Sequence, residues 1–336
     1  MALVERIVVI VNPTAGGGKA IRRWTEAEPQ MRERWSRLEI VHTERRGHAT
    51  EATRAALERG VGLVVSAGGD GTANEVLCGF MDADGRNRFP EAEMGLLGGG
   101  TGGDFLRQLG SPPWSEQLDA LERPGSAIDY GVMRFVDHDG RLRARPFLNA
   151  ASAGLTGQVV ARVLRAGRLS RRVLGPRGIY AWSSVREIIA HRQLPVRIRV
   201  DDQEPRSIGL SLVAITNGQY FGGGMWIAPE AELDDGRLEV LYTGDISTPT
   251  LLAMFPKIFS GRHVEHPAVV SSRGQRVRIE PDGDGDDPVL VELDGEQPGR
   301  IPAELWVVPG GLRLRVAGRP AAVVQSAGAA ASSTRV

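Results

Sequence analysis

The sequence is poor in cysteine, in net charge and in long apolar runs. It has 336 residues with one cysteine, Cys78, and 41 Lys+Arg against 41 Asp+Glu. One cysteine excludes a disulfide scaffold, and a net charge of zero argues against a nucleic acid as partner. No apolar stretch has the length of a membrane span, and the start, MALVERIVVIVNP, is not a signal peptide. These absences predict a cytoplasmic protein.

Lysine is scarce as well. Of the 41 basic residues only Lys19 and Lys257 are lysines, so the other 39 are arginines. A bound phosphate would therefore be met by guanidinium groups, by backbone N–H groups or by a metal ion.

The first part of the chain alternates short apolar runs with longer amphipathic segments. The pattern predicts strands at residues 6–11, 38–42, 62–66 and 94–97, and helices at 19–35, 48–59, 72–80 and 114–122. This alternation is typical of a doubly wound parallel sheet in an α/β domain.

After about Asp129 the pattern changes to short strands in hairpin order. Turns are predicted at Asp139-Gly140, near Asp201 and in the acidic stretch 282–287, and helical stretches at 158–191 and 248–262 interrupt the strands. We therefore predict an α/β domain at 1–127, an antiparallel β-sandwich at 128–320 and a disordered tail at 321–336.

Four glycine-rich turns follow apolar runs, at residues 12–19, 68–72, 98–104 and 222–224. In the second, Gly68-Gly69-Asp70-Gly71-Thr72, the glycines let the backbone approach an anion at the start of a helix. A carboxylate beside phosphates is repulsive unless a cation lies between them, so Asp70 predicts phosphate together with Mg²⁺. A plain Asp-Gly turn capped by Thr72 is the alternative, and it leaves the two preceding glycines unexplained.

A further acidic turn, Asp294-Gly295-Glu296, follows the apolar run VLVEL near the end of the chain. A carboxylate just past a strand of the second domain is well placed to face a nucleotide held by the first. The alternative is an ordinary hairpin turn, for which Asp-Gly is a common sequence.

Taken in order, six segments resemble the lipid kinase family of diacylglycerol kinases, sphingosine kinases and their bacterial relatives. The segments are VNPTAGGGK, SAGGDGTANEV, GGGTGGDFLRQLG, FLNAASAGL, TNGQYFGGGMWIAPEAELDDGRLEV and LDGEQPGRIPAELWVVPGGLRL. The GGDGT motif alone is shared with NAD kinases and phosphofructokinase-like enzymes, so the ordered set carries the resemblance.

The resemblance implies an ATP site in the cleft between the α/β domain and the sandwich. It implies ATP binding by Thr43, Gly68, Gly69, Asp70, Gly71, Thr72, Ala73, Asn74 and Thr101. It implies catalytic roles for Asp70, through Mg²⁺, and for Glu296 as general base. It also implies a structural Mg²⁺ at Glu232, Asp235 and Arg237, the first and last through backbone carbonyls.

The third turn departs from the family pattern. Relatives usually have Pro-x-Gly-Thr-x-Asn-Asp, whereas this chain has Gly98 in place of the proline and Gly103 in place of the asparagine. Loss of the asparagine amide should leave the loop more mobile and weaken ATP binding. Because Asp70, Asp104 and Glu296 remain, we expect an active enzyme.

The expected function is transfer of the ATP γ-phosphate to a lipid hydroxyl, with diacylglycerol or a related lipid as acceptor. One alternative is a kinase for a soluble alcohol, such as an NAD kinase. Another is a non-catalytic nucleotide- or lipid-binding relative. The sequence leaves the acceptor lipid and a homodimer open.

An arginine-rich segment predicts contact with a membrane surface. Residues 159–192 contain eight arginines and one acid, Glu187, and apolar residues at helical spacing. A basic amphipathic segment is typical of a protein that lies on an anionic bilayer. The alternative is that the apolar face packs on the sandwich and the arginines are only solvated.

Overall fold

The computed structural model describes residues 3–98, 103–165, 182–190, 192–283 and 287–318. Strands and helices alternate in the first part. They are β1 Leu3–Val11, α1 Ala15–Arg34, β2 Trp35–His42, α2 His48–Glu58, β3 Leu63–Gly68, α3 Asp70–Phe80, β4 Glu93–Gly98, α4 Asp104–Gln108 and α5 Trp114–Ala120. The strands pair in parallel in the order β4-β3-β1-β2.

Both faces of this parallel sheet are covered. Every residue of β3 is buried, as expected of a strand with helices on both sides. Apolar residues of α2 and α3 form one core with the sheet, and those of α1 and α5 form a second core on the opposite face. The carboxyl ends of β1 to β4 therefore lie at one edge, where the glycine-rich turns begin.

The second part is mostly antiparallel. Its elements are β5 Ser126–Asp137, β6 Leu142–Phe147, β7 Ala150–Gly154, α6 Leu155–Arg165, α7 at 182–190, β8 Leu194–Val200, β9 Arg206–Leu210, β10 Leu212–Thr216, β11 Tyr220–Phe221, β12 Met225–Trp226, β13 Leu238–Thr243, α8 Thr248–Ile258, a 3₁₀ helix Arg262–Glu265, β14 Val269–Gly274, β15 Arg276–Pro281, β16 Leu290–Leu293 and β17 Glu296–Arg315. Alternate residues of these strands share one apolar core.

The last strand joins the two parts. Along β17, Glu296 to Arg300 pair with β16, Ala303 to Trp306 with β15 and Gly299 to Leu314 with β5. At its end, Arg313 to Arg315 also pair in parallel with β4. The sheet of the first part is thus continuous with the strands of the second. The division into domains at residue 127 stays a prediction.

The predicted fold class, a parallel α/β sheet followed by an antiparallel sandwich, is confirmed. One predicted hairpin is wrong: β15 pairs with β17 and β8, whereas β16 pairs with β17 and β7. Alternation along a strand shows which residues are buried but not which strand is the neighbour.

No helix in the described ranges is long and apolar enough to cross a membrane.

Some predictions fall outside the described residues. These are the site residue Thr101, the tail at 321–336 and most of the arginine-rich segment, at 166–181 and 191.

Candidate active site

The second glycine-rich turn leads into α3 and leaves space beside its backbone. A Cβ on Gly68 would lie 2.5 Å from Thr72 Oγ1, so glycine is required where the turn packs against itself. A Cβ on Gly69 or Gly71 would meet nothing within 4 Å. The first N–H groups of a helix have no partner within the helix, so this turn can accept an anion.

Hydrogen bonds connect all four glycine-rich turns. Asn12 Nδ2 donates to Thr72 Oγ1 at 3.1 Å, which ties the first turn to the second. The Asp70 carboxylate accepts from the backbone N–H of Asp104 at 2.8 Å, and the Asp104 carboxylate accepts from Gly223 N at 2.7 Å. The four turns therefore surround one site.

Two of these turns have a backbone that favours glycine. The φ angles are 61°, 67° and 84° at Gly16 to Gly18, and 63°, 86° and 112° at Gly222 to Gly224. Residues with a Cβ rarely adopt these φ angles, which accounts for the runs of glycine.

The two acids between the turns fit a divalent cation. Burial, with a further contribution from Asp104, raises the pKa of Asp70 to about 7. Burial also raises the pKa of Asp104, although Arg107 opposes this effect. Its Oδ1 lies 3.7 Å from Arg107 Nε and has no hydrogen-bond partner among the described residues. A cation would relieve both effects. Mg²⁺ is usually held by one or two carboxylates together with substrate phosphates, so two acids are enough for such a site.

The acidic turn is built around Asp294. Its carboxylate accepts from the backbone N–H groups of Leu148 at 2.8 Å, Asn149 at 3.0 Å and Ala150 at 3.1 Å, and from Asn74 Nδ2 at 2.9 Å. Asp294 itself has a φ of 43° in the turn between β16 and β17. This acid therefore connects the sandwich to α3, a role that the sequence did not reveal.

Glu296 follows at the first position of β17, half-buried between two arginines. Its Oε2 lies 2.7 Å from Arg145 Nη1 and 2.5 Å from Arg46 Nη2. Burial alone would raise the pKa of Glu296, but the two guanidinium groups outweigh it and hold the pKa below its usual value. Glu296 is therefore ionised at neutral pH and able to accept a proton.

The remaining predicted ATP-binding residues lie at the same sheet edge. Thr43 directly follows β2, and its N–H donates to Val11 O at 2.9 Å. Thr72 and Asn74 are 5% and 3% exposed, and Asn74 also donates to Pro146 O at 3.0 Å. The side chains of Thr72 and Asn74 are buried and form hydrogen bonds within the protein. Nucleotide contacts at these positions would therefore come mainly from the backbone. ATP binding at these positions, including Ala73, stays a prediction.

The predicted structural Mg²⁺ segment lies in the loop between β12 and β13. Asp129 fixes this loop: its N–H donates to Leu233 O at 2.6 Å, and its carboxylate accepts from Gly236 N at 2.6 Å. Asp235 Oδ1 accepts from Arg237 N at 2.9 Å, and the Glu232 side chain is exposed. A metal ion at Glu232, Asp235 and Arg237 stays a prediction.

The glycine that replaces the family's proline has a structural reason. A Cβ on Gly98 would lie 2.0 Å from Leu106 Cδ1. Gln117 brackets the same residue: its Oε1 accepts from Gly98 N at 2.8 Å and its Nε2 donates to Gly98 O at 3.3 Å. A proline would clash with Leu106 and lack the N–H. The expected mobility of this loop concerns residues 99–102, outside the described ranges.

An apolar cavity adjoins the acidic turn. It has a volume of about 100 Å³ and lies between the sheet and helices α6, α7 and α8. Its lining residues include Val159, Ile188, Leu251, Met254 and Ile258. Glu292 and Gly295 also line it, so it ends at the turn that carries Glu296.

Family models match both parts of the chain. The diacylglycerol kinase catalytic domain matches residues 6–133, and the YegS C-terminal NAD kinase beta sandwich-like domain matches residues 150–316. Together these matches cover the α/β sheet, the acidic turn and the cavity.

Individual proteins are similar over most of the chain. A diacylglycerol kinase of Mycobacterium tuberculosis is 28% identical over 320 residues, which cover 93% of this chain and 95% of that protein. A probable lipid kinase YegS-like of Chromohalobacter salexigens is 33% identical over 218 residues, 64% of this chain and 65% of that protein. A putative diacylglycerol kinase from Bacillus anthracis shares the fold, with a TM-score of 0.71 and 24% identity over 94% of this chain and 98% of that one.

Proposed function

The chain belongs to the family of diacylglycerol kinase-like lipid kinases, and from this premise we propose that it transfers the ATP γ-phosphate to the free hydroxyl of diacylglycerol or a closely related lipid. The enzyme is an ATP-dependent kinase.

The apolar cavity supports a lipid acceptor most directly. Its lining is almost entirely hydrocarbon, and it ends at the turn that carries Glu296. A soluble alcohol such as NAD gains nothing from an apolar cavity beside the reacting hydroxyl. A few methylene groups of an acyl chain fit a space of about 100 Å³ and are stabilised there by leaving water.

Each part of the site has a role in phosphoryl transfer. The N–H groups at the start of α3 would hold phosphate oxygens, and Asp70 and Asp104 would hold Mg²⁺, which when bound would supply positive charge opposite the phosphates. Glu296 orients the lipid hydroxyl and accepts its proton as the new P–O bond forms and the bond between the γ-phosphorus and the β–γ bridging oxygen breaks, so that ADP leaves. Arg46 and Arg145 keep Glu296 ionised before the reaction.

Filling the cavity should impair lipid binding selectively. We expect Met254→Trp, which adds a large ring to the cavity wall, to raise KM for diacylglycerol about tenfold and leave KM for ATP unchanged. Met254→Leu, of similar volume, is the control. Steady-state kinetics in mixed micelles and a thermal melt of each variant measure this. Unchanged lipid KM in a folded Met254→Trp protein would argue against the cavity as the acyl site.

Peripheral association with a membrane is also part of the proposal. Exposed large apolar side chains cluster on the helices that enclose the cavity: Trp182 and Ile189 on α7 are 58% and 63% exposed, Phe259 at the end of α8 is 48% exposed, and Val264 on the 3₁₀ helix is 38% exposed. Exposed Arg186, Lys257 and Arg262 lie on or next to the same helices. Apolar and basic side chains on one helical layer are typical of a surface that enters an anionic bilayer.

This cluster gives a direct test. Changing both Trp182 and Phe259 to alanine should weaken binding to phosphatidylglycerol-containing vesicles about tenfold, because two aromatic rings no longer leave water. Leu142→Ala is the matched control, since Leu142 is 67% exposed on the β5–β6 hairpin. Co-sedimentation at low and high salt separates the apolar contribution to binding from the electrostatic one, because only the latter is screened by salt. Equal binding of the double variant and the control would contradict membrane contact through these helices.

A further inference from the structure

A buried acid closes the apolar cavity beside the acidic turn. Glu292, on β16, is 2% exposed and lines the cavity. Its Oε1 accepts from Gly295 N at 2.5 Å, and its Oε2 accepts from Ser152 Oγ at 2.5 Å. No arginine or lysine pairs with it within the part of the chain that the structure describes. Burying a carboxylate without a paired cation costs free energy, so we expect Glu292 to have a function at this position.

Two hydroxyl groups extend from this carboxyl to the cavity wall. Ser152 is the cross-strand neighbour of Glu292 in the pairing of β7 with β16. Thr156, in the first turn of α6, donates from Oγ1 to Ser152 Oγ at 2.7 Å and itself lines the cavity. The hydroxyl dipoles therefore point from the cavity wall toward Glu292, and the Thr156 oxygen keeps a lone pair for a ligand.

Building on the proposed function, we propose that Glu292 is a positioning residue for the lipid. Through Gly295 it fixes the turn that carries Glu296, and with Thr156 it forms the hydrogen-bonding end of the acyl cavity, where the polar group of a neutral glycerolipid lies. Glu292 thereby positions both the general base Glu296 and the acceptor hydroxyl of the lipid.

The protonation state of Glu292 should change near neutral pH. Burial raises its pKa to about 7, with Asp294 adding to the effect and the bonds from Ser152 and Gly295 opposing it. Burial lowers the pKa of His263 on the cavity wall, which favours the neutral ring at pH 7 and above. Other titratable or charged side chains on the elements around the cavity include Tyr242 on its wall, Arg162 on α6, Glu187 on α7, and Glu296 and Arg300 on β17.

The two forms of Glu292 suit different ligands. Below its pKa the carboxylic acid can donate a hydrogen bond to an ester oxygen of a glycerolipid. Above it the carboxylate can only accept, and it is poorly solvated in an apolar cavity. Binding of diacylglycerol should therefore weaken as the pH rises through about 7.

The test compares two variants over a pH series. For the wild-type enzyme we expect KM for diacylglycerol to rise about tenfold from pH 6 to pH 8.5. KM for ATP should not rise over this range, because loss of the proton from Asp70 favours binding of Mg²⁺ with ATP. Glu292→Gln stays neutral and keeps a donor, so its KM should remain low and flat with pH. Glu292→Leu loses the contact with Gly295 as well, so kcat should also fall, by about tenfold or more.

The control is Glu239→Gln. Glu239 is a buried glutamate of the same sandwich whose pKa is also raised by burial, but it pairs with Arg273 outside the cavity lining. Its lipid KM should follow the wild-type pH profile.

Two results would overturn the inference while leaving the kinase function intact. One is a wild-type pH profile retained in Glu292→Gln. The other is a Glu292→Leu protein that melts early but keeps wild-type kcat and lipid KM, because this would make Glu292 merely structural. A wild-type enzyme inactive on diacylglycerol at every pH would instead refute the proposed function, and this inference with it.

Discussion

Replacing Glu296 by glutamine is expected to lower kcat about 100-fold or more, with little change in ATP binding. The amide keeps the shape of the side chain and its place at the start of β17, but it cannot accept the proton of the lipid hydroxyl. Single-turnover phosphorylation measures the chemical step, and equilibrium binding of a nucleotide analogue measures the nucleotide site.

Glu304→Gln is the matched control for this prediction. Glu304 lies on the same strand and also faces several arginines, at 3.5 Å from Arg134 and Arg278 and 3.6 Å from Arg276, but away from the acidic turn. Wild-type turnover is expected for it. Undiminished turnover of Glu296→Gln would show that another group accepts the proton.

The second large effect is expected for Asp294→Ala, which should lower the free energy of unfolding by about 3–5 kcal/mol. The change removes the acceptor of three backbone N–H groups and of the Asn74 amide. The donors that remain are buried where β7 begins, so water cannot easily replace the lost bonds. Activity should fall as well, because the turn that holds Glu296 loses its anchor. Urea unfolding followed by circular dichroism measures the change.

Asp137→Ala provides the comparison. Asp137 also caps a hairpin turn, accepting from Asp139 N at 3.0 Å and Arg141 N at 2.8 Å, but its side chain is partly open to solvent. Water can take over there, so the expected loss is about 1 kcal/mol. Equal losses of unfolding free energy in the two variants would show that Asp294 does not connect the sandwich to α3 through buried hydrogen bonds.

The sequence was most informative where local signals decide the structure. Alternation of apolar runs with amphipathic segments predicted β1 to β4 and the helices between them, because one buried face has a fixed period. The turn at Asp294 and Gly295 was recognisable because few residues tolerate positive φ angles.

Contacts between distant parts of the chain had no such signal. Arg145 lies 151 residues before Glu296, and Asp104 lies 119 residues before Gly223. The neighbours of β15 and β16 were predicted wrongly for the same reason. The cavity was also missed, because apolar residues at helical spacing look the same whether they fill a core or line a space.

Transfer of phosphate to a lipid can be measured in a single assay. Purified protein is incubated with γ-labelled ATP and Mg²⁺, with diacylglycerol micelles, sphingosine micelles and NAD offered side by side. We expect label in the organic phase with diacylglycerol, and ATP consumption that depends on the added lipid. Label in NADP with none in the organic phase, or no lipid-dependent consumption of ATP, would contradict it.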